Sequence, residues 1–289
     1  MMAKCLVVGD LIEDVIVVPE GSVVSDTDNQ AKIAATLGGS ATNFAVWAST
    51  LGMETHLVAR VGRGDGSKFT KLLADKSVIA HLQEDKQLST GRIVVLSDGE
   101  NRTFFTDRGA NVNLEPHVLP VEALGDYLYL SGYSVLSMGT QGAQKLIEIA
   151  QTNGMAVIVD PGSESFIRDY GAKYFLEAIA GADVLLPNLA EAKILSGEDS
   201  LVAAADKLNR LFKLVVVTLG AEGALVKNAT TVEQVSAPDA KVIDTTGAGD
   251  AFAAMFIRHL AEGATPLHAA QEACIFASRA VEMIGGQPS

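Results

Sequence analysis

Cysteine is scarce in this chain, since only Cys5 and Cys274 carry a thiol among 289 residues. Two cysteines cannot build a disulfide framework or a four-thiolate metal site, and both stand among apolar residues. A small buried side chain is the usual role of cysteine in such surroundings. The sequence therefore predicts a protein of a reducing compartment.

Long apolar runs are also missing. The run at residues 5–8 is too short for a leader and is followed at once by acidic residues. The uncharged stretch at residues 127–144 is interrupted by serines and glycines, which a membrane span would not contain in such numbers. We expect a soluble, cytoplasmic protein that has no membrane partner.

Basic residues are few: 22 Lys and Arg stand against 35 Asp and Glu, which gives a formal net charge of −13. So acidic a surface repels phosphate backbones, and we expect no nucleic-acid partner. Charged residues make up only 20% of the chain and hydrophobic residues 48%, enough for a large core and too many for wholesale disorder.

The hydrophobic pattern alternates between strands and helices. Buried strands are predicted at residues 4–9, 55–61, 127–130, 156–160, 183–186 and 214–218, with a hairpin at 224–227 and 232–235. Helices are predicted at residues 41–51, 67–74, 141–152, 190–195, 201–211, 249–262 and 266–283. This order favours a mostly parallel sheet that is covered by helices on both faces.

Four further strands do not fit that order. They are predicted at residues 14–18, 31–36, 92–96 and 102–106, the last two joined by a turn at Asp98-Gly99. We expect them to form a small separate sheet above the carboxyl ends of the main strands, where ligands bind in this fold class.

Residues 244–252, DTTGAGDAF, form the segment richest in chemistry. A loop of small residues opens there onto a helix, so its backbone N–H groups and the helix N-terminus can stabilise a transferring phosphoryl group. Asp250 can take a proton from an attacking hydroxyl, and we expect it to need no shift of its pKa, because a carboxylate is already ionised at pH 7. The alternative is a plain turn followed by a helix cap at Asp250.

Two other nucleotide motifs are excluded. The segment lacks the Gly-Lys-Ser/Thr ending of a Walker A loop, and Phe252 stands where a dinucleotide fingerprint needs its last glycine.

Residues 244–252 resemble the signature of the ribokinase-like (PfkB) carbohydrate kinase family. Three more family motifs follow the expected order: GGSATN at residues 38–43 resembles the Gly-Gly motif, NLAE at 188–191 the NxxE motif, and TLGAEG at 218–223 the TLGxxG turn. The resemblance covers nearly the whole chain. It implies a single domain over residues 1–289, a three-layer α/β/α sandwich with a mostly parallel central sheet, and a small β-sheet lid inserted at about 14–36 and 91–107.

The resemblance also implies roles for individual residues. Asp250 is expected to be the catalytic base, with an anion hole formed by Gly247, Ala248 and Gly249. Acceptor binding is implied for Asp14, Gly38, Gly39, Asn43 and Asp250. The alternatives are that the glycines merely form a turn into a helix and that Asp14 is a solvated charge at a strand edge.

On the nucleotide side, the resemblance implies ATP and Mg²⁺. Asn188 and Glu191 are expected to organise waters around Mg²⁺ and the phosphates, although ordinary helix capping by Asn188 competes with this interpretation. The nucleotide is expected to be bordered by Thr218, Gly220, Gly223 and Gly249. A monovalent cation, K⁺, is implied beside the anion hole, with ligands from Asp244, Thr246, Ala280, Met283, Gly285 and Ser289.

The acceptor is the least determined part. Ribokinase has a glutamate after the strand at 127–130, whereas this chain has Ser131-Gly132-Tyr133, which argues against ribose. Arg102 and Arg108 are either contacts for an acidic or phosphorylated acceptor or solvated charges. Trp47, Phe104 and Phe105 either stack on a nucleoside base or pack in the core.

The function that follows is an ATP-dependent phosphotransferase acting on a hydroxymethyl group of a small sugar or sugar-derived acceptor. The alternatives are a nucleoside kinase of the same fold and a non-catalytic ligand-binding relative. The resemblance further implies a homodimer that forms through the lid sheet.

Overall fold

The computed structural model describes residues 2–98, 101–116 and 119–288. Its strands are β1 Lys4–Val8, β2 Ile12–Pro19, β3 Ala31–Gly38, β4 Glu54–Gly62, β5 Ile79–Asp85, β6 Gly91–Asp98, β7 Asn101–Asp107, β8 Tyr127–Ser131, β9 Ala156–Asp160, β10 Val184–Leu185, β11 Leu214–Thr218, β12 Ala224–Asn228 and β13 Val232–Val235. Its α-helices are α1 Ser40–Thr50, α2 Gly66–Asp75, α3 Gly132–Thr152, α4 Glu164–Tyr170, α5 Ala172–Ala178, α6 Leu189–Ser196, α7 Leu201–Asn209, α8 Ala248–Ala261 and α9 Pro266–Ala280.

The central sheet has the strand order β13-β12-β11-β10-β9-β8-β1-β4-β5. Every neighbouring pair from β11 to β5 runs parallel, and only β12 and β13 run antiparallel to their neighbours. The carboxyl ends of the parallel strands therefore meet at one edge of the sheet.

Helices cover both faces of this sheet because its strands are apolar on both sides. In β1, Cys5 and Val7 pack into the core shared with α1, α2, α8 and α9, whereas Leu6 and Val8 pack into the core shared with α3–α7. Parallel strands buried on both faces are expected to read as continuous apolar runs, and β1 does. The predicted three-layer α/β/α sandwich is confirmed.

A separate four-stranded sheet has the order β3-β2-β6-β7, and we call it the lid sheet. Strands β2 and β6 pair in parallel, with Asp14 opposite Ile93 and Ile16 opposite Val95. Because side chains alternate between the faces of a sheet, these four residues share one face. The register of β6 with β7 adds Phe104 to this face and places Phe105 on the other.

Four elements differ from the sequence prediction. Strand β5 was not predicted, because His81 and Gln83 interrupt its apolar pattern at the sheet edge. Helices α4 and α5 were also missed, since each has only seven residues and the two meet at Gly171. Helix α3 begins at Gly132, nine residues earlier than expected. Its first part was missed because the backbone at Gly139 is not helical and the helical pattern is interrupted there.

The turn expected at Asp98-Gly99 includes Gly99, which lies outside the described residues. Within the described ranges, none of the helices has the length and apolar character needed to cross a bilayer.

Candidate active site

Polar side chains gather where the parallel strands end. Asp10 follows β1, Ser131 ends β8, Asp160 ends β9 and Thr218 ends β11. A cavity of about 1150 Å³ opens between this edge and the lid sheet, and its lining includes Asp10, Asp160 and Thr218. This is the place where open α/β sheets bind their ligands.

Helix α8 delivers Asp250 to the same cavity. Gly247 precedes the helix with φ +71°, and a Cβ there would lie 2.5 Å from the carbonyl oxygen of Gly286, so the position requires glycine. Asp250 is the third residue of the helix, and Gly247 is the N-cap. The alternative interpretation of Asp250 as a helix cap is therefore wrong. Gly247 and Gly249 line the cavity beside it, and Ala248 begins the helix between them.

The carboxylate of Asp250 is buried, and its Oδ1 accepts a hydrogen bond of 2.8 Å from the Ser40 hydroxyl. Burial raises the pKa of Asp250 well above its usual range, and the charges of Asp160 and Asp10 raise it further. Hydrogen bonds from Ser40 and Asn43 act in the opposite direction. The expectation that this carboxylate needs no shift of its pKa is thus wrong, because the sequence alone does not show how deeply it is buried.

Asp10 holds the start of helix α1. Its carboxylate accepts hydrogen bonds from the backbone N–H of Ser40, at 2.8 Å, and from the hydroxyl of Ser131, at 2.9 Å. Gly39, which precedes the helix with φ +97°, has no room for a side chain, because a Cβ would lie 2.8 Å from Asp10. The Gly-Gly turn therefore leads into a helix, as one interpretation expected. Gly39 also lines the cavity, whereas Gly38 is not among the described lining residues.

Asp14 and Gly38 meet at the junction between the lid sheet and the body. A Cβ on Gly38 would lie 2.0 Å from Oδ2 of Asp14, so the glycine leaves room for the carboxylate. Burial raises the pKa of Asp14 to about 6, and the charge of Asp10 adds to this. Asp14 lines the cavity and is not a freely solvated strand-edge charge.

Asn43 lies on the first turn of α1 and also lines the cavity. Its Oδ1 accepts a hydrogen bond of 2.9 Å from Nε2 of Gln287, which donates at the same distance to the carbonyl of Leu37. The segment that follows α9 is thereby attached both to α1 and to the lid sheet.

Arg108 reaches the cavity from the end of β7. Its Nη2 donates to the carbonyl oxygen of Tyr133 and to the hydroxyl of Ser137, both at 2.6 Å, and its guanidinium lies over the ring of Phe166. It is therefore not a solvated surface charge. The side chain of Arg102 lies outside the described part of the structure.

Asn188 and Glu191 form a reciprocal capping box at the start of α6. The Asn188 side chain accepts from the Glu191 N–H at 3.0 Å, and the Glu191 carboxylate accepts from the Asn188 N–H at 2.8 Å. Both residues nevertheless line the cavity. Burial raises the pKa of Glu191 to about 8, and the neighbouring Asp160 adds to this.

Among the remaining residues of the expected nucleotide site, Thr218 lines the cavity, whereas Gly220 and Gly223 are not part of its described lining. They belong to the turn between β11 and β12, where Gly223 packs closely against the carbonyl oxygen of Val235. Only the first residue of the TLGAEG motif thus contributes to the wall.

The loop before α8 and the segment after α9 are tied together by Asp244. Its Oδ1 accepts from the N–H of Thr246 and its Oδ2 from the N–H of Gly285, both at 2.9 Å. All three residues line the cavity, whereas Ala280 and Met283 are not among the described lining residues. Ser289 lies outside the described residues.

Sequence reasoning missed Asp10, Ser40 and Asp160 as site residues. Asp10 stands just beyond the end of β1 and Asp160 is the last residue of β9, and these positions at the carboxyl ends of buried strands were the signal that could have found them. The contact of Ser40 joins residues 210 positions apart, and no local pattern predicts it.

Comparisons with known proteins identify the family and the fold. The model of the pfkB family carbohydrate kinases matches residues 2–289. A fructokinase of Klebsiella pneumoniae is 27% identical, over 92% of this chain and 87% of its own length.

Solved structures show the same fold. Arabidopsis thaliana ribokinase, in complex with ribose and ATP, superimposes with a TM-score of 0.83 at 23% identity, covering all of this chain and 96% of that one. The adenosine kinase of Sinorhizobium meliloti gives a TM-score of 0.85 at 23% identity, covering all of this chain and 96% of that one. With a family match over nearly its whole length, the chain belongs to the pfkB family of carbohydrate kinases.

Proposed function

We propose that this protein is an ATP-dependent kinase that phosphorylates a hydroxymethyl group of a small sugar or sugar-derived acceptor. The observation that carries the proposal is the position of Asp250, a buried carboxylate on the first turn of α8 that faces a cavity also lined by Asp14. We assign the protein to the cytoplasm, where ATP is available and the free thiols of Cys5 and Cys274 stay reduced.

The reaction is divided among named groups. Asp14 and Asn43 bind the acceptor hydroxyls, and a carboxylate can accept two hydrogen bonds from a vicinal diol. Asp250 takes the proton of the hydroxymethyl group as its oxygen bonds to the γ-phosphorus of ATP and the bond to the β–γ bridging oxygen breaks. The N–H groups at the start of α8, contributed by residues 247–249, stabilise the charge on the transferring group.

The nucleotide side has the donors that Mg²⁺ prefers. Burial raises the pKa of both Glu191 and Asp160; the charge of Asp160 raises that of Glu191 further, and the charge of Asp10 raises that of Asp160. A nearby cation relieves this repulsion, so the pair fits an ion that is held through water by Asn188 and Glu191. Such an ion supplies charge neutralisation of the phosphates. Thr218 and the backbone of Gly220 and Gly223 are proposed to border the nucleotide.

ADP release in the presence of a panel of acceptors tests this proposal. The panel comprises pentoses, hexoses, keto-deoxy acids and nucleosides, and we expect at least one sugar or sugar-derived acceptor to be turned over. A protein that binds ATP but releases no ADP with any acceptor is the non-catalytic binder, and this result contradicts the proposal.

A nucleoside acceptor is the second candidate. The cavity face of the lid sheet carries Ile16, Ile93, Val95 and Phe104, an apolar surface that a base could contact. Phe104 is 56% exposed and is therefore not the core residue that one sequence interpretation favoured. Trp47 is buried and donates to the carbonyl of Gly286, so it does not serve as a stacking surface.

The rate is expected to depend on pH through Asp250. Burial raises the pKa of this carboxylate, and only its ionised form accepts the proton, so kcat/KM rises with pH and falls on acidification well above the ordinary carboxylate range. A pH–rate profile at saturating ATP and low acceptor concentration measures this limb. Constant activity down to about pH 5 contradicts the shift.

We propose a K⁺ site beside the anion hole. Asp244 brings together the backbone at Thr246 and Gly285, and the proposed ligand set also includes carbonyls of Ala280 and Met283 and the terminal Ser289. K⁺ is expected to raise activity at constant ionic strength, whereas choline is not. Deleting residues 287–289 should abolish the response, and an undiminished response in the truncated protein contradicts the site.

We also propose a homodimer through the outer face of the lid sheet. Ile33 and Phe105 are 68% and 59% exposed there, whereas Phe104 lies on the cavity face. Sedimentation should give about twice the chain mass of 30.2 kDa, and Val94→Asp or Phe105→Asp should shift it toward monomer. An active wild-type monomer at tens of micromolar contradicts the dimer and leaves the kinase intact.

A further inference from the structure

Ser40 lies between the sheet edge and the proposed base. Its hydroxyl donates to Oδ1 of Asp250 at 2.8 Å, although the two residues are 210 positions apart in the sequence. The two oxygens of a carboxylate offer about four lone-pair sites, so the hydrogen bonds from Ser40 and Asn43 leave sites that can take the proton of an acceptor hydroxyl.

The backbone of Ser40 is fixed from the other side. Its N–H donates to Oδ2 of Asp10 at 2.8 Å, and the hydroxyl of Ser131 donates to the other oxygen of the same carboxylate at 2.9 Å. The Thr42 hydroxyl donates to the backbone carbonyl of Asp10 at 2.8 Å. Asp10 follows β1, which pairs with β4 on one side and β8 on the other, so Ser40 is anchored to an interior strand of the central sheet.

The charges around Asp250 oppose its ionised form. Asp10 comes from the end of β1 and Asp160 from the end of β9, and both add to the effect of burial in raising its pKa. Tyr129 of β8 is a further titratable group facing Asp250. The donors that oppose them, Ser40 and Asn43, both belong to the first turn of α1.

We propose that Ser40 is a positioning residue, whose hydroxyl turns the Asp250 carboxylate toward the acceptor and stabilises its charge, with Asp10 holding Ser40 in place. The inference rests on the proposed role of Asp250 as the base. It assigns to Ser40 an effect on the base and none on binding of the nucleotide.

The kinetic test compares three serine variants with whichever of D-ribose, D-fructose or adenosine the wild type phosphorylates fastest. Ser40→Ala is expected to lower kcat by about 10- to 100-fold, the loss for a hydrogen bond to a charged group. The KM for ATP stays constant, and the acidic limb of the pH profile moves to higher pH. Ser40→Thr keeps the hydroxyl, so the acidic limb of its pH profile is expected at the same pH as in the wild type. Ser49→Ala is the matched control, because Ser49 lies at the far end of α1 and donates to the carbonyl of Ser77.

An infrared titration gives a readout that needs no acceptor. The band of the protonated Asp250 carboxyl is assigned by its loss in Asp250→Asn, and its titration is followed in the wild type and in Ser40→Ala. The titration is expected to move to higher pH in Ser40→Ala, because a donor to the ionised form has been removed.

Two results overturn the proposal. One is an unchanged infrared titration in Ser40→Ala, and the other is a raised acceptor KM with an unchanged pH limb, which would make Ser40 an acceptor contact. If Asp250→Asn keeps full turnover while the infrared shift is still seen, the role of Asp250 as the base fails and the coupling of Ser40 to Asp250 stands.

Discussion

Asp250→Asn is expected to lower kcat by about 10²–10⁴-fold, the loss for a positioned general base. The amide has nearly the same shape as the carboxylate and can still accept the hydrogen bond from Ser40, so the fold and the affinity for ATP should be almost unchanged. Steady-state kinetics with the best acceptor of the panel, together with ATP titration, separate the two effects.

The control for this variant is Asp239→Asn, which makes the same chemical change at an exposed position before the signature loop. Its kcat should equal that of the wild type. Wild-type turnover in Asp250→Asn would show that the proton leaves by another route, and the role of Asp250 would have to be abandoned.

Gly38→Ala is expected to lower kcat/KM for the acceptor by about 10²–10⁴-fold, with the loss mainly in KM. The new Cβ would lie 2.0 Å from Oδ2 of Asp14, and the short side chain of Asp14 can turn away more easily than the backbone can move. The two hydrogen bonds that we propose between Asp14 and the acceptor would then be lost, each worth about 1.5–3 kcal/mol as a bond to a charged group.

The matched control is Gly21→Ala, because a Cβ at Gly21 meets no atom within 4 Å. Thermal unfolding of both variants should stay close to the wild type, while only Gly38→Ala loses affinity for the acceptor. An unchanged acceptor KM in Gly38→Ala would show that Asp14 does not bind the acceptor.

The sequence predicts much of the fold because the buried strands are strongly patterned. Strands β1, β9 and β11 are short apolar runs that end in turn or polar residues, so their identity and their parallel arrangement follow from the pattern. Strand β5 lies at the sheet edge and needs no continuous apolar run, because only part of it is covered. The sequence of β5 therefore lacks the apolar pattern that predicts a strand.

The candidate site could be predicted where its residues are contiguous in the sequence. It could not be predicted where its residues come from distant segments that meet only in the folded protein. The DTTGAGDAF segment indicates both the start of α8 and the proposed base, Asp250, because the loop and the helix are neighbours in the sequence. The partners of Asp250 come from Ser40 and from the carboxylates at the ends of β1 and β9, which only the folded sheet brings together. The raised pKa of Asp250 depends on burial and on those distant groups, so the residues next to Asp250 in the sequence do not predict it.

The contact between Ser40 and Asp250 closes a loop of 210 residues, and this has a consequence for refolding. Contacts between distant segments carry the entropy of loop closure and usually form after local structure. The helices and the strand pairs near the amino terminus can therefore form before α8 docks against α1. Recovery of turnover after dilution from denaturant should lag behind recovery of the helical circular dichroism signal, since the proposed base reaches Ser40 only when this long loop is closed.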